Sequence, residues 1–275
     1  MPLPPLLQRY DQLILDLDGC VWVGEEPVPG SVEAVVRLRE AGKRLAFATN
    51  NPRRSGEEYV AKLWKIGVQA SLADVVTVGG AVQHLLAETA SGRTAFVIGT
   101  AALRAHVADA GLRVLNGTDL ASRAELVVVG GSDELTYADL RDAVLAVQRG
   151  AELLATSRDP TYPMPDGLWP GTGAIVAAVE TATGKLARSV GKPEPELFLT
   201  AVDRLGGDGR TLVVGDRLDT DVKAATAAGL DAALVLSGGT SAEGVSAMAV
   251  DTGPVVVASS LGALVGGEFT ERASE

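Results

Sequence analysis

Cysteine is almost missing: Cys20 is the only one in 275 residues. A lone thiol excludes an internal disulfide framework and fits a reducing compartment. Histidine is nearly as scarce, and His84 and His106 fall on expected helices without a companion at metal-ligand spacing. Basic residues are outnumbered, 24 against 35 acidic, for a net charge of −11. That balance argues against a basic face able to capture nucleic acid or an anionic membrane. No uncharged apolar run approaches the length of a membrane span. The opening Met1-Pro2-Leu3-Pro4-Pro5 lacks the basic segment and long apolar stretch of a secretory signal. No Gly-x-Gly-x-x-Gly follows a strand, since Val78-Gly79-Gly80-Ala81 has the wrong spacing, so a redox dinucleotide fold is disfavoured. A cytoplasmic enzyme is the plain reading, with no nucleic acid and no membrane as partner.

What is present is a series of short apolar runs separated by helical patterns, the rhythm of an α/β fold. Leu13-Ile14-Leu15, Leu45-Ala46-Phe47-Ala48, Val190 and Leu212-Val213-Val214 are read as strands buried on both faces, the habit of a parallel sheet. Each is followed by polar residues: Asp16-Leu17-Asp18-Gly19, Thr49-Asn50-Asn51, Gly191-Lys192-Pro193 and Gly215-Asp216 running on to Asp221. In open parallel sheets ligands bind at the carboxyl ends of the strands, so carboxylates, a hydroxyl and an amine far apart in sequence converge on one crevice.

Between these runs, Ser31 is expected to cap a helix through Ala41, and Ser55 with Glu58 forms a capping-box pattern opening a helix through Ile66. Val60, Leu63 and Trp64 are assigned to the buried stripe of that second helix. The middle third has its own alternation, with strands at 95–98, 126–129 and 153–155 and helices at 101–110 and 137–149. It is placed as an inserted α/β domain at 83–186, within a discontinuous core of 1–82 plus 187–275, with Gly79-Gly80 and Gly184 as crossing points. The last ten residues, Gly266 to Glu275, are expected to fray.

The ordered set of four motifs resembles the haloacid dehalogenase superfamily, in the branch of phosphatases that carry a large α/β cap on a Rossmann-like doubly wound sheet. That branch holds nitrophenylphosphatase-like, phosphoglycolate-phosphatase-like and pyridoxal-phosphatase-like enzymes. The likeness runs from about Leu13 to Gly239, and 159–173 resembles the cap segment that reaches the active site.

The resemblance implies a phosphoric monoester hydrolase working through an aspartyl-phosphate. Asp16 would be the nucleophile. Asp18 would protonate the leaving alcohol and then activate water, and Lys192 would hold phosphate and nucleophile. Mg²⁺ is the implied cofactor, bound by Asp16, the carbonyl of Asp18 and Asp216, with Asp221 acting nearby. Thr49, Asn50, Asn51 and the amides of Leu17 and Asp18 would cradle the phosphate, where fixed donors stabilise the spreading charge.

From the cap, Asp159 and Tyr162 would touch substrate. Arg158 is a candidate partner for a substrate carboxylate, or else faces solvent or holds the loop. Glycerol 3-phosphate and phosphoglycolate rank first, with nitrophenyl phosphate as an artificial substrate. A phosphotransferase or phosphomutase of the same fold, or a non-catalytic metabolite binder, is the alternative. Cys20 is read as a small packed side chain. By analogy with relatives, a homodimer would form through the cap.

Overall fold

Leu13, Ile14 and Leu15 have no solvent exposure, because their strand, Gln12–Asp16, runs through the interior of a seven-stranded sheet. The computed structural model describes residues 2–241, 245 and 254–271. Across the sheet the order is Phe269–Glu271, Val256–Ala258, Asp231–Val235, Thr211–Gly215, Gln12–Asp16, Arg44–Thr49 and Val75–Thr77. All pairings are parallel except that of the edge strand Phe269–Glu271.

Side chains alternate across the pleat. Leu13, Leu15, Phe47, Leu212 and Val214 pack with Ala34, Val35, Leu38, Tyr59, Leu63 and Leu264 on one face. Ile14, Ala46, Ala48 and Val213 meet Leu197, Phe198, Ala201 and Ala224 on the other. The sheet is therefore doubly wound. From Gln12–Asp16 the chain builds outward to one side, and Thr211–Gly215 begins the growth to the other side. The crevice beyond the ends of these two neighbouring strands is the topological switch point where such sheets bind ligands.

A second, five-stranded parallel sheet has the order Arg188–Ser189, Glu152–Ala155, Leu126–Val129, Thr94–Ile98, Arg113–Val114. Helices Val78–Thr89 and Ala101–Asp109 cover one face, through Val82, Leu86, Leu103 and Val107. Tyr137–Gln148 and Thr172–Thr183 cover the other, through Ala143, Ala146, Ile175 and Val179. An antiparallel hairpin, Thr161–Met164 with Gly167–Pro170, projects from this unit.

Several local expectations are corrected. Val190 is not part of a strand in the large sheet: Gly191-Lys192-Pro193 follows Arg188–Ser189, which pairs with Glu152–Ala155 in the second sheet. Ser31 is not the cap of its helix. Gly30 holds that position in the left-handed region, and the buried Ser31 hydroxyl donates to the Val21 carbonyl at 2.7 Å. Trp64 is 56% exposed; Tyr59, Lys62 and Leu63 form the buried stripe of Gly56–Lys65 instead. Gly79 and Gly80 lie in the first turn of the helix Val78–Thr89, which follows directly on strand Val75–Thr77 of the large sheet. Residues 269–271 pair as a strand instead of fraying, and 272–275 lie outside the described residues. The Ser55–Glu58 capping box is present, with reciprocal bonds of 3.3 and 2.7 Å.

Candidate active site

Asp16 is the last residue of its strand, and its buried carboxylate sits 2.5 Å from Lys192 Nζ. The same ammonium is 2.6 Å from Asp221 Oδ1. Asp216 follows directly on Thr211–Gly215, and its Oδ2 accepts the Gly239 N–H at 2.5 Å. One oxygen from each of Asp16, Asp216 and Asp221 lies within 4.8 Å of the others, and all three residues are buried.

Glycines make room for this cluster. A Cβ at Gly238 would stand 2.1 Å from Asp216 Oδ2, and one at Gly215 would stand 2.3 Å from Asp221 Cγ. Gly19, at φ +90°, turns the chain away from Asp18, and a Cβ there would meet Asp216 Oδ2 at 2.4 Å.

The electrostatics follow from burial and crowding. Burial drives the Asp16 carboxyl well above its ordinary range; Lys192 opposes the rise, while Asp221 and Asp216 add to it. Asp216 is pushed up to about 8, first by burial and then by the charge of Asp221. Burial alone would lower Lys192, but Asp16 and Asp221 outweigh it and hold the ammonium protonated well above its usual value. One ammonium thus faces three buried carboxylates. An all-oxygen set with this charge deficit fits a hard divalent cation of the Mg²⁺ type.

Asp18 lies beside the cluster. Its Oδ1 accepts Trp22 Nε1–H at 3.0 Å, and its Oδ2 is approached by Asn51 Nδ2 at 3.3 Å and by the Thr49 hydroxyl at 3.4 Å. Trp22 is fixed in turn. It stacks on Tyr59, with ring centroids 6.2 Å apart, and Lys62 Nζ lies 4.2 Å from the centroid of its ring. Tyr59 also donates to the Asn51 carbonyl at 2.7 Å, which ties the second motif to the same aromatic pair. Asn50 performs a different task. Its Oδ1 accepts the Lys192 N–H at 2.8 Å and its Nδ2 donates to the Lys192 carbonyl at 2.9 Å. This two-point clamp holds the third motif against the end of the large sheet. Gly191 permits it, since a Cβ there would be 2.3 Å from Asn50 Oδ1.

The second unit closes the cleft with Ser157, Asp159, Tyr162 and Thr172 among its lining residues. Burial raises the Asp159 carboxyl, while Lys192 and its hydrogen bond from Asn50, at 3.0 Å, oppose the rise. Tyr162 presents its ring to the Arg53 guanidinium, 4.5 Å from the centroid.

Arg158 is not brought to the cleft: its guanidinium bonds Glu180 at 2.9 Å and the Ala187 carbonyl at 2.6 Å. Of the readings left open for it, holding the loop is the one the contacts match. The Leu17 side chain has no exposure and belongs to the core, so only its backbone is available between Asp16 and Asp18. Cys20 is fully buried, and burial followed by the charge of Asp16 pushes its thiol well up, away from reactivity. His84 is paired with Glu88 and His106 with Gln83, and neither lines the cleft. Arg53 and Arg217 line it unforeseen. Their one sequence signal was position, two residues past Asn51 and one past Asp216.

Residues 13–113 match the family described as haloacid dehalogenase-like hydrolase, and residues 189–264 match a second model of the same kind. The chain belongs to this hydrolase family, as its parallel core, cap and buried acidic cluster lead one to expect. Among its relatives, D-glycerol 3-phosphate phosphatase of Mycobacterium tuberculosis is 44% identical over 239 residues, covering 86% of this chain and 66% of that protein. The match thus spans just under two thirds of the mycobacterial protein's length. Human chronophin is 38% identical over 247 residues, covering 85% of this chain and 83% of its own. The crystal structure of the M. tuberculosis glycerol phosphate phosphatase with magnesium superimposes with a TM-score of 0.84 at 40% identity, over 96% of this chain and 79% of that one.

Proposed function

We propose that this chain is a Mg²⁺-dependent phosphatase that hydrolyses a small phosphorylated metabolite, with glycerol 3-phosphate and phosphoglycolate first in rank. The observation that carries the reading is the buried Asp16 carboxylate at the head of the cleft, held by Lys192 and within 4.8 Å of the Asp216 and Asp221 oxygens. The M. tuberculosis relative is named as a glycerol 3-phosphate phosphatase, and its structure contains magnesium; both facts support the same reading.

Asp16, Asp216 and the Asp18 carbonyl would hold the metal, with Asp221 beside them. The ion would supply positive charge that offsets repulsion between carboxylates and phosphate. The chain's own residues carry the steps. Asp16 attacks phosphorus, and the bond from phosphorus to the ester oxygen breaks as Asp18 delivers a proton to the departing alcohol. Asp18, now a carboxylate, takes a proton from water as that water attacks phosphorus. The Asp16–phosphorus bond breaks and inorganic phosphate leaves. Lys192, the Thr49 hydroxyl and the backbone amides of Leu17, Asp18 and Asn50 would donate to the equatorial oxygens, each such donor contributing on the order of 3 kcal/mol to the transition state. Asn51 and Trp22 hold the Asp18 carboxylate in place.

The division into a core of 1–82 plus 187–275 and a cap of 83–186 belongs to the same proposal. Pairing of Arg188–Ser189 with Glu152–Ala155 in the second sheet supports a return to the core close to the end of that cap. Homodimerisation through the cap draws support from its exposed apolar side chains Leu120, Tyr137, Leu168 and Leu186. A cytoplasmic place of action accords with the single free, buried thiol. No helix among the described residues is long and apolar enough to cross a membrane.

The test is phosphate release from a panel of phosphorylated metabolites, with Mg²⁺ or EDTA, by the wild type and Asp16→Asn. Turnover requiring both the metal and Asp16 is the expected result. Release that persists in Asp16→Asn would sink the proposal.

A further inference from the structure

Three cationic side chains line the cleft, Arg53, Lys192 and Arg217, against the carboxylates of Asp16, Asp18, Asp159, Asp216 and Asp221. Each cation already has an anionic neighbour. Lys192 lies between Asp16 and Asp221. Arg217 bonds Asp219 at 3.0 Å, and its Nε faces Asp159 Oδ1 at 3.6 Å. Arg53 donates to Asp133, which sits in the segment after the cap strand Leu126–Val129. Arg53 is confined as well as paired: its guanidinium lies over the Tyr162 ring, and a Cβ on Gly131 would come within 3.1 Å of its Nε.

With Asp18 protonated for its first task, one dication leaves this lining a single positive charge in excess before any substrate enters. The phosphate dianion then consumes all the attraction that the metal and Lys192 offer. A second anionic group on the substrate would lose its hydration without gaining an uncommitted cation, which is unfavourable in a narrow cleft. It would also meet the negative charge of Asp159, which lines the cleft on the side of the second unit. A hydroxyl is the complementary group. It can donate to a wall carboxylate or accept from a wall cation that already has an anionic neighbour, and it brings no charge of its own.

We propose that the site selects phosphate esters of uncharged polyols over esters of hydroxy acids, and that Asp133 sets this selection by occupying Arg53. The proposal rests on the phosphatase reading above, and it places glycerol 3-phosphate ahead of phosphoglycolate.

Glycerol 3-phosphate and 3-phosphoglycerate form a matched pair, differing at the terminal carbon by a hydroxymethyl in place of a carboxylate. The experiment compares kcat/KM for the two esters in wild type, Asp133→Asn, Asp133→Ser and the double variant Arg53→Gln/Asp133→Asn. The wild type is expected to favour glycerol 3-phosphate by about tenfold or more. Either single variant should narrow that ratio about fivefold, mainly through KM for the acidic ester, because Arg53 is released to meet its carboxylate. The double variant should restore the wide ratio. A wild-type ratio of one or less, or a ratio unmoved in both single variants, overturns the proposal. Turnover of 4-nitrophenyl phosphate by wild type and Asp16→Asn separates the two layers. Loss of Asp16-dependent turnover there defeats the phosphatase reading and this inference together, whereas retained turnover with the wrong ratio defeats the selection alone.

Discussion

Replacing Asp216 by asparagine should stabilise the metal-free protein while abolishing its activity. Asp216 is 1% exposed, and burial with the charge of Asp221 lifts its pKa from 3.8 to about 8. Between those two values the folded protein keeps a proton that the unfolded chain has released, so folding stability falls as pH rises through the window and levels off above it. At about 1.4 kcal/mol per pH unit, the ceiling on that loss is about 5–6 kcal/mol. The bond from Gly239 N–H to Oδ2 works against the gain, since a neutral amide oxygen accepts about 1 kcal/mol less well than a carboxylate. Relaxation of Asp16 and Asp221 takes up part of the rest. A net gain of roughly 2–4 kcal/mol remains at pH 9, or about 5–15 °C in Tm for a chain of this size. Thermal melts in EDTA from pH 4 to pH 9 should show wild type and Asp216→Asn nearly equal at the acid end and diverging steadily toward the alkaline end. Adding Mg²⁺ should raise the wild-type Tm more than that of the variant, because only the wild type retains the full ligand set. A variant less stable at pH 9, or an offset that does not change with pH, would mean that Asp216 does not hold its proton in the folded protein.

Three further outcomes follow from contacts around the site. Trp22→Phe keeps the stack on Tyr59 but removes the N–H held by Asp18 Oδ1; a bond to a charged group is worth about 1.5–3 kcal/mol. Its kcat should drop about tenfold or more on an alkyl phosphate and far less on nitrophenyl phosphate, whose leaving group needs no proton, and equal losses would contradict a role through Asp18. Arg158→Ala breaks the partly exposed pair with Glu180 and should lower stability by up to about 1 kcal/mol with KM unchanged for every ester; a raised KM for acidic esters alone would return Arg158 to the binding site. Cys20 should resist thiol reagents at pH 8 in the native protein and react on unfolding, as its burial requires; rapid native labelling would contradict the packing.

The parts of the site that were legible in the sequence are those carried by fully buried strands. Asp16, Thr49 and Gly215 each end an apolar run, and the strand order brings them to one edge. Lys192 was legible as a residue but not in its support. Arg188–Ser189 is too short to show a period, and its pairing with Glu152–Ala155 is a long-range event. Trp64 was misplaced because an apolar ring next to Leu63 looks like core, whereas helix geometry sends Tyr59, Lys62 and Leu63 inward. The aliphatic stem of Lys62 is buried there, with its ammonium on the Gly24 carbonyl and the Trp22 ring. Arg158 was uncertain because Glu180, its partner, lies 22 residues away across a helix. Arg53 and Arg217 were missed because a single arginine beside a motif has no spacing signature; only the fold shows that both face the cleft. The edge strand Phe269–Glu271 was read as fraying because three residues of mixed polarity carry no period, and its pairing with Val256–Ala258 supplies the order.

The proposed mechanism requires that Asp16 become covalently phosphorylated during turnover. Acid-quenching the wild type during steady hydrolysis, reducing with borohydride and sequencing the peptides by mass spectrometry tests this directly, since reduction converts an aspartyl-phosphate to homoserine. Homoserine is expected at position 16, dependent on both substrate and Mg²⁺. Undiminished turnover with an unmodified position 16, or with the label on another residue, would contradict it.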